Sequence, residues 1–152
     1  YLDPAVFDFF KDCNELWHAG DFGSSVAISL QSFKPLKAVF GNIDGAEIRN
    51  NYPRELQFNC EGLKVFMVHI GGYPHRFETG IKDKLQIAKP QIFICGHSHI
   101  LKIIRAEELE NMLCINPGAA GKSGFHKTRT IVRLKIEDKN ISDLQVIELG
   151  QK

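Results

Sequence analysis

Charge of one sign is the first thing this chain lacks. Across its 152 residues, 19 Lys and Arg stand against 18 Asp and Glu, a formal net charge of +1. That balance provides no field to steer the protein onto nucleic acid or an anionic membrane. An apolar run of about 20 residues, the length a bilayer-crossing helix needs, is also missing. No secretory signal is visible, although the first residue is Tyr1 rather than Met. There is no Cys-x-x-Cys: Cys13, Cys60, Cys95 and Cys114 are widely spaced, and three lie in apolar segments. Free thiols in a reducing cytoplasm are expected, because a chain of this size can bury a sufficient core without disulfides. Internal repeats, low-complexity tracts and linkers are absent too, so residues 1–152 are read as one domain.

What the chain does have is one arrangement used four times. Ile92-Phe93-Ile94-Cys95 is an apolar run that empties into Gly96-His97-Ser98-His99. Leu16-Trp17-His18-Ala19 runs into Gly20-Asp21, Leu36 to Phe40 into Gly41-Asn42, and Val65 to Val68 into His69 and Gly71-Gly72. Each reads as a strand ending at a polar residue with glycine beside it. Ligands of open α/β sheets sit outside the carboxyl ends of the strands. Oxygen and imidazole donors gathered there suit divalent metals such as Mn, Zn or Fe.

Asp21, Asn42, His69, His97 and His99 are therefore the candidate metal ligands. In extended backbone His97 and His99 would project to one side and could serve one ion or two neighbours. Asp21, with two carboxylate oxygens, is the residue of this set able to bridge two cations. Duller readings stand beside these. Asp21 could cap a helix, Asn42 could shape a Gly-Asn turn, and Asp44-Gly45 is most simply a turn. His18, inside an apolar strand, reads as a satisfied core histidine. His75, after Pro74 in a glycine-rich loop, and Arg129 are the candidates for contacting substrate. With His126 and Lys127, Arg129 could meet a phosphate, but a solvated basic turn is the simpler reading there.

Periodicity predicts the elements around these loops. Asp3-Pro4 caps a short helix carrying Val6, Phe10 and Cys13. Ser24 or Ser25 would cap a second helix with Val26, Leu30 and Phe33 on its buried stripe. Glu55–Cys60 and Leu63–Val68 read as a hairpin, and Gly71–Phe77 as a loop. Ile81, Leu85 and Ala88 mark a third helix before strand Gln91–Cys95. Leu101–Arg105, Met112–Asn116, Arg129–Ile136 and Asp143–Leu149 read as strands, with one helical turn near Glu107–Glu110. An α/β first half followed by a β-rich second half suggests an α/β fold of two packed mixed sheets flanked by helices, a four-layer αββα sandwich.

Gly20-Asp21, Gly41-Asn42, His69 and Gly96-His97-Ser98-His99, in this order, resemble the calcineurin-like metallophosphoesterase superfamily. Asn116-Pro117-Gly118 and the short length make the chain similar to the small YfcE-type phosphodiesterase branch. The resemblance implies the same αββα sandwich and a dinuclear site, with Mn favoured and Ni, Zn or Fe as alternatives. By motif, Asp21 would bridge the two ions, Asn42, His69 and His97 would complete one, and His99 would belong to the other. The implied reaction is hydrolysis of a phosphate ester, most simply a small phosphodiester. Water activated by the metals would be the nucleophile, so no side chain is given that role. The implied partner is that small substrate, without nucleic acid or membrane, and a homo-oligomer stays compatible with the reading.

Two positions depart from the family pattern. Family members begin with a strand ending in Asp-x-His that supplies the remaining ligands of the ion served by His99, so either a segment of that kind precedes Tyr1, the favoured expectation, or one metal site is broken. Many members also place a His after the Gly-Asn to protonate the leaving group, where this chain has Ile43. The alternative implied by the same fold is a weakly active or inactive scaffold, like the phosphoesterase-fold subunit of retromer.

Overall fold

Apolar runs uninterrupted by polar residues belong to parallel strands covered on both faces. The computed structural model, which describes residues 1–152, builds its centre from such runs. In the first third it has α1 (Ala5–Phe10), β1 (Leu16–His18), α2 (Gly23–Phe33), β2 (Leu36–Ala38) and α3 (Ala46–Asn51). Next come the hairpin β3 (Glu55–Cys60) and β4 (Leu63–Val68), then a two-residue ribbon, β5 (Gly72–Tyr73) and β6 (Arg76–Phe77). Helix α4 (Ile81–Ala88) leads to β7 (Ile92–Ile94) and β8 (Leu101–Ala106). A 3-10 turn at Glu107–Leu109 precedes β9 (Met112–Pro117), β10 (Thr128–Glu137) and β11 (Asn140–Gln151).

Strands β3-β4-β7-β9-β8 form one five-stranded sheet. Its three inner strands run parallel, and β3 and β8 are antiparallel edges. Side chains alternate between its faces. Phe66, Val68, Phe93 and Cys95 face one way, where Ile81 and Leu85 of α4 cover them. Val65, Met67, Ile92, Ile94, Leu113 and Ile115 face the other way, against Trp17 and the ribbon residues Val132, Leu134 and Ile136. That second layer is the parallel pair β1-β2 and the antiparallel ribbon β10-β11. Helices close its outer side: Val6 and Leu30 pack on Leu16, and Ala27, Ile48 and Tyr52 pack around Ala38. Helix, sheet, sheet, helix: this is the expected αββα sandwich.

Four local features differ from the sequence reading. Helix α3 was not expected, because Ala46–Asn51 carries one buried apolar residue, Ile48, and so shows no stripe. The Gly71–Phe77 loop is pinched into the β5-β6 ribbon. The first helix stops at Phe10, short of Cys13, although the Asp3 carboxylate does accept the Ala5 N–H at 3.0 Å. Helix α2 is capped by neither Ser24 nor Ser25; its cap comes from Asp44. All four cysteines are free, and no helix is long and apolar enough to cross a membrane.

Candidate metal centre

Because β1 and β2 run parallel, as do β4 and β7, the loops leaving their carboxyl ends meet above the sheets. A buried carboxylate ties two of those loops together. Asp44 Oδ2 accepts the N–H groups of Asp21 and Gly41, each at 2.8 Å, and Oδ1 accepts those of Phe22 and Gly23, each at 3.0 Å. Burial by itself would raise the Asp44 pKa, but the four N–H donors outweigh it and hold the group below its ordinary value. The two loops approach so closely that a Cβ on Gly41 would lie 1.9 Å from Asp21 Oδ1. Only glycine fits there. Arg49, on α3, donates to the carbonyls of Asp44, Gly41 and Asn42 and so fixes the Asn42 loop from the other side.

Held in this way, Asp21, His69 and His97 offer ligand atoms that all lie within 4.8 Å of one another. Asn42 sits among them, its Oδ1 2.9 Å from His69 Nε2 and 3.0 Å from His97 Nδ1. The tautomer of His69 follows from its other nitrogen. Nδ1–H donates to the Ala19 carbonyl at 2.6 Å, so the neutral ring turns a bare Nε2 lone pair toward Asn42 Oδ1 and, at 3.0 Å, toward Asp21 Oδ2. Three acceptor atoms pointed at one another repel unless a proton or a cation lies among them. A backbone carbonyl that takes one imidazole N–H and leaves the other nitrogen free is how metal-ligating histidines are supported. The donor set of one carboxylate, one amide oxygen and two imidazoles suits Mn, Zn or Fe.

His99 parts from this group. The expectation of extended backbone fails, because His97 and His99 both take left-handed conformations, with φ of 66° and 60°. Their rings consequently diverge: His97 turns to Asn42 and His69, whereas His99 packs on His126. Burial and the neighbouring His126 lower the His99 pKa. Asn116 holds this loop in shape by donating to Gly96 O at 2.8 Å and Ser98 Oγ at 3.1 Å.

The two expected substrate contacts are not brought to the cluster. His75 is exposed at the turn of the β5-β6 ribbon, with φ of 70°. Arg129 is buried in an ion pair with Asp3 at 2.6 Å and donates to the carbonyls of Leu149 and Gln151. Its guanidinium joins α1 to the β10-β11 ribbon and is not free to meet a phosphate. His18 stacks on Phe22 and accepts the Gly20 N–H; burial pushes its pKa down to about 4, in keeping with a core histidine. Neither Asp44 nor Arg49 is among the site residues the chain's pattern marks out. The only signal for Asp44 was a second acid two residues after Asn42, which a simple turn explains equally well. Beside His97 lies a cavity of about 300 Å³ bordered by Ile70, Tyr73, Arg76, Ile100 and Lys102.

Comparison with known proteins gives this geometry a context. Residues 1–139 match the model of the calcineurin-like phosphoesterase superfamily domain. A probable metallophosphoesterase of Methanothermobacter thermautotrophicus (strain Delta H) is 31% identical over 153 aligned residues, covering 98% of this chain and 84% of that protein. Among solved structures, Vps29 of Chaetomium thermophilum superimposes with a TM-score of 0.75 at 12% identity, over 100% of this chain and 91% of that one. A novel archaeal phosphodiesterase superimposes with a TM-score of 0.67 at 21% identity, over 95% and 89% of the two chains. At those identities the solved structures speak for the fold alone.

Proposed function

Because the chain belongs to the calcineurin-like phosphoesterase superfamily, we propose that it is a metal-dependent phosphodiesterase of the small YfcE type with a dinuclear centre. The observation that carries this is the convergence of Asp21 Oδ2 and Asn42 Oδ1 on His69 Nε2, at 3.0 and 2.9 Å, with His97 beside them, a set of ligand atoms that a divalent cation would satisfy together. Asp21, Asn42, His69 and His97 would hold one ion, with Asp21 bridging to a second served by His99. Divalent ions bound there would polarise the phosphoryl group and lower the pKa of water toward neutrality. Mn is the favoured metal, with Ni, Zn and Fe as alternatives.

The chain's own residues set the rest. Ala19 O and Asn116 keep His69 and the His97 loop in place, so the donors need little rearrangement on loading. The cavity beside His97 is of a size for one half of a small ester, and Arg76 and Lys102 at its border favour an anion. Ile43 is 74% exposed beside Asp21, to which its N–H donates at 3.0 Å, and its side chain has no proton to give. Ester oxygens that leave without protonation should therefore depart fastest. Four free cysteines, two of them buried, support a reducing compartment such as the cytoplasm.

Turnover of aryl and alkyl phosphodiesters with Mn²⁺ tests the proposal. Aryl diesters should be hydrolysed at least tenfold faster, and Ile43→His should narrow the gap. Equal rates would overturn the role given to Ile43, and metal-independent turnover, or full activity in Asp21→Ala, would overturn the mechanism. The competing reading is a protein-binding scaffold on the same fold. Four supported donors around one point are more than a scaffold requires, and a chain that binds the metal without turnover of any phosphoester would favour it.

A further inference from the structure

A second imidazole pair stands beside the cluster with the same geometry as the first. His69 and His97 meet edge to face, ring centroids 5.2 Å apart and planes at 78°. His99 and His126 meet at 5.1 Å and 80°. Two imidazoles bound to one ion at about 2.1 Å, with a tetrahedral angle between them, have ring centres about 5 Å apart. Both pairs therefore have the spacing of co-ligands.

The hydrogen bonding of His126 points the same way. Its Nε2–H donates to the Gly121 carbonyl at 2.8 Å, which leaves the neutral ring's lone pair on Nδ1. That Nδ1 is buried and has no hydrogen-bond partner. Buried polar atoms are rarely left unpaired, and those that are call for a reason. His69 shows the same support, a backbone carbonyl on one nitrogen and the other turned to the cluster. Gly124 completes the arrangement. A Cβ there would lie 2.0 Å from His99 Nδ1 and 3.2 Å from His126 Nδ1, so the His99 ring packs directly on the bare backbone of Gly124, with both nitrogens close to one point. A φ of +121° at Gly124 also disfavours any other residue.

We propose that His126 is a ligand, through Nδ1, of the second divalent cation, the one served by His99, with Gly124 allowing the His99 ring to lie against the turn that carries His126. This rests on the dinuclear reading of the site. It also assigns a role to the Gly121–His126 turn, which otherwise reads as a solvated basic loop.

Co²⁺ titration followed by visible absorption and by the ring resonances of His126 tests the proposal. The wild-type protein should bind two ions in separable steps, and the His126 ring signals should shift in the second. His126→Gln keeps a donor for Gly121 but loses the ligand nitrogen; it should weaken the second step at least tenfold and leave the first unchanged. Gly124→Ala, checked for folding by its melting curve, should do the same with His126 still in place. Two unaltered steps in both variants, or unmoved His126 resonances in the wild type, would overturn the role of His126 and leave the first site standing. A wild-type protein that binds no Co²⁺ would overturn the dinuclear reading itself, and the assignment of His126 with it.

Discussion

Asp44 shapes the site without being one of its candidate ligands. Its two oxygens satisfy four backbone donors from two loops, which places Asp21 and Asn42 relative to each other before any ion arrives. Removing the carboxylate with Asp44→Ala orphans those donors, at about 1–3 kcal/mol for each that stays buried. We expect chemical denaturation to show a loss of about 3 kcal/mol; a change under 1 kcal/mol would mean the loops hold themselves. Because the folded pKa of Asp44 lies below its ordinary 3.8, its contribution is complete above that pH and disappears as pH falls through the folded value. His18 acts over a different window. Its pKa drops from 6.5 to about 4 on folding, so the unfolded chain binds the proton first and stability declines as pH falls from 6.5 toward 4. By pH 4 the loss is on the order of 3 kcal/mol. His18→Phe, which retains the stack on Phe22, should flatten that part of the stability profile. An unaltered slope would contradict the assignment.

Among the elements, those with a repeating apolar pattern were legible in the chain and those without one were not. The β3-β4 hairpin pairs Glu55–Cys60 with Leu63–Val68 at the expected bounds, because Glu61-Gly62 is a turn between two strand-like runs. Helix α4 likewise announces itself through Ile81, Leu85 and Ala88. Helix α3 does not, since six residues with one buried apolar side chain carry no period, and its place is set by contacts from elsewhere. Yet α3 positions the site: Arg49 reaches three carbonyls of the Asn42 loop. Residues that orient metal ligands from behind typically alter affinity about 10–100-fold when lost. Arg49→Ala should therefore weaken Mn²⁺ binding by about tenfold with little change in melting temperature. Unchanged affinity measured by calorimetry would make Arg49 a purely structural latch.

At the scale of the whole molecule, the order of strand ends along the chain was enough to name four donors that do meet: Asp21, Asn42, His69 and His97. Their convergence follows from parallel strands, which deliver all their carboxyl ends to one edge. What the order of strand ends did not contain was the path of the backbone after Gly96. Left-handed turns at His97 and His99 send the two rings to different neighbours, and no alternation rule reports a positive φ. Arg129 was unreadable for a similar reason, as its partner Asp3 lies 126 positions away. Long-range pairings of this kind belong to the folded molecule and leave no local trace.

The central claim is that these four side chains form a cage for a divalent cation. Anomalous diffraction from crystals soaked in Mn²⁺ addresses it directly. A strong peak bonded to Asp21, Asn42, His69 and His97 is the predicted result. A map with no peak among those four residues, at Mn²⁺ concentrations that saturate any phosphoesterase activity, would contradict it.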